Sequence, residues 1–386
     1  MLVEHLVTPE GVRHDALLEI SGSRIVSCEP YAASTGPDPE RIGGWVVPGF
    51  VDTHVHGGGG SDYATEDPEA ALRARAFHAA YGTTTSFASL VTASIDTLCR
   101  QVAMLADLVD DGHFAGIHLE GPFLSSAQCG AHDPTLLRAP DPVSVARLIT
   151  AGRGALSMIT VAPELPGALA AVSQLTEAGV HVAVGHTGAG RDTVAAAVDA
   201  GASTATHLFN AMRDLHHREP GPVPVLLNDD RVSVELIADG FHLHPDVVRL
   251  AATAAGRERT VLITDAMVAA GMPDGDFTLG GLEVAVRDGM ARLVEADGHP
   301  GAIAGSTLTM AGAFERMTGL VGDIEAVAAM ASSNAARHFG LDEVGRIETG
   351  RRADLCVVDD HGVLQRVMHG GRWLPGPSTG SGSDRA

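Results

Sequence analysis

Eight apolar or β-branched runs recur along this chain with helical patterns between most of them, and that alternation leaves few folds open. The runs are VVPGFVDTHVH, TTTSFASLV, FAGIHLEG, LSMITVAPE, VHVAVGHT, STATHLFN, VSVELIADG and TVLITDAM. Stretches such as PEAALRARAFHAAYG, DTLCRQVAMLADLVDDG and ALAAVSQLTEAGV separate them with the spacing of amphipathic helices. Strand and helix repeated in this way predict an α/β protein, a (β/α)8 TIM barrel. A doubly wound open sheet is the competing fold, but no GxGxxG follows the first run.

The flanks have a different pattern. ALLEISGSRIVSCEP alternates around a Ser-Gly-Ser turn, and GRIETGRRADLCVVDDHGVLQRVMHGGRW returns to short strands at the other end. The simplest architecture joins residues 1–47 and 343–375 into a small β-sandwich domain beside a barrel of residues 48–342. DFTLGGLEVAVRDGMARLV reads as a hairpin turning at Arg287-Asp288-Gly289. Helices are expected over Leu308–Leu320 and Ile324–Phe339, and residues 376–386 read as a disordered tail.

Charge and composition remove several classes of function. The chain has 26 basic and 48 acidic residues, a net charge of −22, which disfavours nucleic-acid and membrane-surface partners. Every basic residue is arginine. Schiff-base chemistry, a pyridoxal-phosphate lysine, a phosphate-loop lysine and a carboxylated-lysine metal bridge are therefore excluded. Cys28, Cys99, Cys129 and Cys356 form no CxxC pair, so neither a disulfide framework nor a thiolate zinc site is expected. The opening MLVEHLVTPEGVRHD lacks the apolar core of a signal peptide, and no apolar run spans a bilayer; a cytoplasmic enzyme is expected.

A barrel carries its chemistry at the C-terminal ends of its strands. His54 and His56 end the first run, Glu120 the third, His186 the fifth, His207 the sixth and Asp265 the eighth. His54 and His56 are two apart on a strand and share a face, so both imidazoles can reach one ion. An isolated HxH favours two partly exposed loop histidines; the matching carboxylate and histidines at other strand ends turn the balance to a metal site. The nitrogen and oxygen donors suit Zn²⁺ first, with Fe, Mn or Co as alternatives. Glu120 could instead be neutralised by an arginine, and His118 on the same face reads as packed rather than ligating. Asp265 is the candidate proton shuttle for a metal-activated water; its alternative is a helix N-cap.

The set DTHVHGGGG, HLEGPFL, GAHDP, VAPE, VGHTGA, ATHLFNAM, REPG, ADGFHLHP, LITDAM and AGSTLTM resembles the N-acetylglucosamine-6-phosphate deacetylases of the amidohydrolase superfamily, from about residue 10 to residue 373. The resemblance implies a metal-dependent hydrolase, commonly a homodimer, that releases acetate from a phosphorylated amino sugar in catabolism or cell-wall recycling. By resemblance, Glu120, His186 and His207 hold one divalent ion, and His54 and His56 are the pair that permits a second. It also implies that Asp265 acts as general base and then general acid, and that His132 polarises the acetamide carbonyl with the Ala131 backbone on the sugar. Asn210 and Ala211 would contact substrate, and Ile303, Ala304 and Gly305 would close over it. Arg218 and His242 would bind the phosphate, with Arg218 offered by the neighbouring subunit; alternatively Arg218 is a surface ion pair with Glu219 or Asp214. VGHTGA departs from the more frequent GHSNA, and Cys129 lies where many members have a lysine-rich stretch. Cys129 is either an ordinary thiol or part of a lid sensitive to substrate or oxidation. The galacto epimer of the substrate and a non-catalytic scaffold are the other readings of the same chain.

Overall fold

The computed structural model describes residues 1–31, 38–295 and 298–376. All eight expected barrel strands are present: Phe50–Asp52, Thr83–Val91, Gly116–Glu120, Leu156–Val161, His181–Val184, Ala202–Ala205, Ser233–Ile237 and Thr260–Ile263. They pair in parallel and in chain order, each with its sequence neighbour. The intervening helices start where a favourable residue ends the preceding loop. Asp67 caps Pro68–Ala80, Ser94 caps Ile95–Asp110 and Asp141 caps Pro142–Gly152, each accepting a hydrogen bond from a first-turn backbone N–H.

The first and last strands meet at the mouth of the barrel. Asp52 Oδ2 accepts the Thr264 hydroxyl at 2.6 Å, its Oδ1 accepts the Thr264 backbone N–H at 3.3 Å, and the Asp265 N–H reaches His54 O at 2.8 Å. These bonds fix His54 and Asp265 side by side.

Inside the barrel, strand alternation stacks side chains in layers. Phe87, Met158 and Ala183 form an apolar floor with Phe339 below. Above them His118 bonds Ser89 Oγ at 3.0 Å and Thr160 Oγ1 at 2.9 Å, and Thr160 continues to Thr206 at 2.9 Å. The upper layer is the polar cluster described below. On the third strand this order is visible in one run, with Gly116, His118 and Glu120 at successive inward positions. A Cβ on Gly116 would come within 2.7 Å of Ser157 Cβ and 3.0 Å of Phe87, so glycine lets the third and fourth strands approach here.

The terminal segments form one seven-stranded mixed sheet built from Leu2–Thr8, Gly11–Ser21, Arg24–Pro30, Arg41–Pro48, Leu355–Val358, Leu364–His369 and Arg372–Trp373. Arg41–Pro48 lies at its centre, parallel to Leu2–Thr8 and antiparallel to Leu355–Val358. The sheet has its own apolar core, including Val3, Leu6, Leu18, Ile25, Val46 and Leu355. Arg352 ties it to the second barrel strand, donating to Thr85 Oγ1 at 2.9 Å and Thr84 O at 3.3 Å.

Two expected segments are present with more structure than the sequence reading gave them. The expected hairpin, with Asp288 and Gly289 both at positive φ as a tight turn requires, is the middle of a four-stranded antiparallel sheet: Gly275–Leu279, Leu282–Arg287, Met290–Val294 and Pro300–Ile303. The expected helix over Ile324–Phe339 is broken into Ile324–Ala328, a π-helical turn Ala329–Ser333 and Asn334–His338. The break follows from tertiary bonds: Ser332 Oγ donates to Gly49 O at 2.8 Å, and Asn334 Nδ2 to Arg257 O and Thr260 O at 2.7 and 2.8 Å. Of the expected tail, residues 377–386 lie outside the described residues. No helix among the described residues is long and apolar enough to cross a membrane.

His338 sits under the barrel, bonded to Thr204 Oγ1 at 2.9 Å. Burial, then the neighbouring His181 and Arg337, push it down to about 3. Its unfolded form takes up a proton near pH 6.5 while its folded form does not, so stability falls as pH drops from about 6.5 to 3, by ~1.4 kcal/mol per pH unit for this group. His338→Gln should flatten that part of the slope in urea unfolding curves recorded across this range.

Candidate metal centre and active site

Glu120, 4% exposed, ends the third strand at the centre of the upper layer. Its Oε1 lies 2.9 Å from His186 Nε2 and 2.8 Å from His207 Nε2. Its Oε2 lies 3.1 Å from His56 Nε2, 3.5 Å from His54 Nε2 and 3.4 Å from His132 Nε2. Asp265 Oδ1 is 3.2 Å from His56 Nε2 and 3.4 Å from His54 Nε2. Every ion-pair partner found for Glu120 among the described residues is a histidine, which disposes of the arginine alternative. No helix follows Asp265, so it is not an N-cap.

The donor atoms suit a divalent cation. His54 and His56 turn their Nε2 atoms toward each other at 3.2 Å, as do His186 and His207. Donors about 2.1 Å from a tetrahedral ion stand about 3.3 Å apart, the spacing found here. Two sets emerge, His54–His56–Glu120–Asp265 and Glu120–His132–His186, sharing Glu120. Burial disfavours charge on His54 and His56, yet the facing carboxylates overcome it, lifting His54 well above its ordinary value and His56 to about 9. The cluster calls for positive charge at its centre.

Hydrogen bonds on the far ring atoms sort ligands from donors. His54 Nδ1 faces Glu235 Oε2 at 3.1 Å and His186 Nδ1 faces Gln128 O at 2.9 Å. Both rings therefore carry their proton on Nδ1 and present an Nε2 lone pair to the centre. His132 is reversed. Its Nδ1 accepts the Thr92 N–H at 3.3 Å, so its Nε2 carries the proton and points inward as a donor. His118 has both nitrogens occupied by hydroxyls, as its packed reading expected.

His186, His207 and Asp265 have φ of 47°, 25° and 51°, a left-handed conformation that side chains rarely adopt. The turns are held from outside. Glu164, of the VAPE run, accepts the Thr187 hydroxyl at 2.5 Å and the Gly188 N–H at 2.7 Å, and Ser306 N–H reaches Asp265 O at 2.7 Å.

A cavity of about 480 Å³ opens over the cluster, lined by Cys129, Ala131, His132, Asn210, Ala211, His242, Ile303 and Gly305 among others. His242 is oriented by Asp239, whose Oδ2 lies 2.7 Å from its Nδ1. Two residues expected at the substrate do not line the cavity. Ala304 is fully buried in the core of the four-stranded sheet. Arg218 lies on an exposed loop with its guanidinium 2.8 Å from His217 Nε2, while Glu219 pairs with Arg213 instead. Sequence reasoning missed Glu235, Asp239, Gln128 and Glu164. For Glu235 the signal was a carboxylate flanked by apolar residues inside the run VSVELIADG.

Gly130 has φ +55°, and a Cβ there would come within 3.1 Å of His186 Cε1. Gly130→Val should weaken metal binding roughly tenfold by pushing that ring, with metal content after dialysis as the measurement.

The matches to known proteins agree with this geometry. Residues 45–374 match the amidohydrolase family. An N-acetylgalactosamine-6-phosphate deacetylase of Escherichia coli O157:H7 is 37% identical over 96% of each chain. An N-acetylglucosamine-6-phosphate deacetylase of Lysinibacillus sphaericus is 36% identical, covering 96% of this chain and 97% of its own. An aspartate-to-alanine variant of the Mycobacterium smegmatis N-acetyl-D-glucosamine-6-phosphate deacetylase, solved with N-acetyl-D-glucosamine-6-phosphate, superposes with a TM-score of 0.92 at 44% identity over 96% of this chain and 97% of that one. The chain belongs to the amidohydrolase family, alongside its N-acetylated amino-sugar phosphate deacetylases.

Proposed function

We propose that this chain hydrolyses the acetamide of N-acetylglucosamine 6-phosphate, giving glucosamine 6-phosphate and acetate. The observation that carries this reading is the convergence of His54, His56, His186 and His207 on the two oxygens of Glu120, directly beneath a cavity that also holds Asp265, His132 and His242. Barrel residues 48–342 would carry the chemistry, and the sheet of residues 1–47 and 343–375 would brace them.

Glu120, His186 and His207 would hold one divalent ion, with His54 and His56 holding a second; Zn²⁺ fits this donor set first. Such a centre supplies the Lewis acidity that makes an amide carbonyl electrophilic and water acidic near neutral pH. Asp265 Oδ1 takes the proton of the attacking water and returns it to the nitrogen, so that an amine leaves. His132 Nε2–H, already aimed at the cluster, holds the negative oxygen that develops on the carbonyl carbon. Asn210, Ala211, the Ala131 backbone, Ile303 and Gly305 seat the sugar, and Cys129 sits at the cavity edge.

The phosphate needs cationic donors that the cavity wall supplies only through His242. Among the described residues no arginine lines the cavity, and the chain has no lysine. Arg218, exposed and outside its own cavity, is suited to complete the site of a second subunit in a homodimer. The galacto epimer is the second reading, because the Escherichia coli relative of that name, at 37% identity, matches the Lysinibacillus sphaericus gluco enzyme at 36%, although the Mycobacterium smegmatis gluco enzyme stands higher at 44%.

Acetate release from the gluco and galacto phosphates and from unphosphorylated N-acetylglucosamine tests all three points. A strong preference for the gluco phosphate is expected, with Asp265→Asn lowering kcat about 10²–10⁴-fold. Faster turnover of the galacto phosphate would exchange the two readings. Mixing inactive Asp265→Asn with Arg218→Ala subunits should restore about a quarter of wild-type activity through hybrid dimers, each with one intact site. No recovery would return Arg218 to the surface.

A further inference from the structure

We propose that Glu235 is the positioning residue that sets both halves of the metal centre. The inference rests on the reading of His54 and His207 as ligands.

Glu235 lies on the seventh barrel strand and is 1% exposed. A single oxygen, Oε2, accepts from His54 Nδ1 at 3.1 Å and from the His207 backbone N–H at 3.3 Å. Its own carbonyl accepts the Leu208 N–H at 2.9 Å. One residue of the seventh strand thus reaches a candidate ligand of the first strand and the strained turn that presents a candidate ligand of the sixth. In the proposed centre the two residues would ligate different ions.

The consequence for His54 is chemical. A neutral imidazole carries one proton, and a carboxylate facing Nδ1 keeps it there. Only then does Nε2 face His56 and Glu120 with a lone pair. Without Glu235 the proton is free to move to Nε2, and that tautomer cannot ligate. The negative charge also strengthens the imidazole as a donor. For His207 the effect is geometric, since the Glu235 bonds on consecutive amides restrain a backbone held at φ 25°.

Packing alone does not account for a carboxylate here. Its Oε1 is buried with no hydrogen-bond partner among the described residues. An apolar side chain would fill the same space without that cost. The residue is costly to the fold, and its two bonds both end on the cluster.

The test compares wild type, Glu235→Gln and Glu235→Leu, stripped with a chelator and reloaded with Zn²⁺. Bound metal is counted by mass spectrometry, and affinity is read by competition with a chromophoric chelator. Wild type should take up two ions per chain. Glu235→Gln, which keeps an acceptor oxygen but no charge, should weaken binding about tenfold; Glu235→Leu should lose one ion and hold the other up to ~100-fold more weakly. The melting temperature of the stripped proteins serves as the control, since a purely structural role would move it in step with metal affinity. Variants that bind two ions with wild-type affinity overturn the proposal. If Glu235→Leu does not fold, unchanged affinity in Glu235→Gln alone overturns it. Wild type taking up fewer than two ions is a different result, and removes the binuclear reading underneath.

Discussion

An ionised carboxylate enclosed by protein costs several kcal/mol unless opposite charge and hydrogen bonds surround it. Glu120 imposes that condition on the upper half of the barrel. Five histidines answer it, delivered by the first, third, fifth and sixth strands and their loops, and the far nitrogens of three of them are satisfied in turn. Glu235, Gln128 and Thr92 fill that outer circle for His54, His186 and His132. Because each of these partners is itself fixed to a strand or a short loop, the demand of one buried charge propagates into the tautomer of each of these three rings.

The strained backbone belongs to the same arrangement. A residue held in the left-handed region costs of order 1–3 kcal/mol, and three of the central residues bear that cost. The turn at His186 is over-determined by Glu164, the turn at His207 by Glu235, and the turn at Asp265 by His54 on one side and Ser306 on the other. Reactive side chains are thereby placed by backbone geometry instead of by flexible rotamers, which keeps their mutual distances within a few tenths of an ångström of one another.

The sequence disclosed what periodicity controls. Eight strands and most helices follow from alternation of two kinds, local to each segment, and the strand-end positions of the ligand candidates follow from the strands. Relations that exist only once strands are adjacent were not legible. Nothing in HLEGP or GAHDP says that Thr92 will force His132 into the opposite tautomer from His186. The break in the helix before Phe339 depends on Ser332 and Asn334 reaching carbonyls far away in the chain. Ala304 and Arg218 illustrate the same limit. Motif likeness puts them near the sugar, while the cavity wall of a single chain includes neither.

The terminal sheet has a bearing on how this protein is made. Arg41–Pro48 leads straight into the first barrel strand, and its antiparallel neighbour is Leu355–Val358, separated from it by the whole barrel. While the ribosome is still translating the barrel, that strand has one edge paired to Leu2–Thr8 and the other open, a row of unsatisfied amides and carbonyls flanked by valines. Neither the complete sheet nor the bracing contact through Arg352 exists until residues 352–373 have emerged. Any barrel structure formed before then stands beside an incomplete N-terminal platform, whose open edge is a site for mispairing until Leu355–Val358 occupies it.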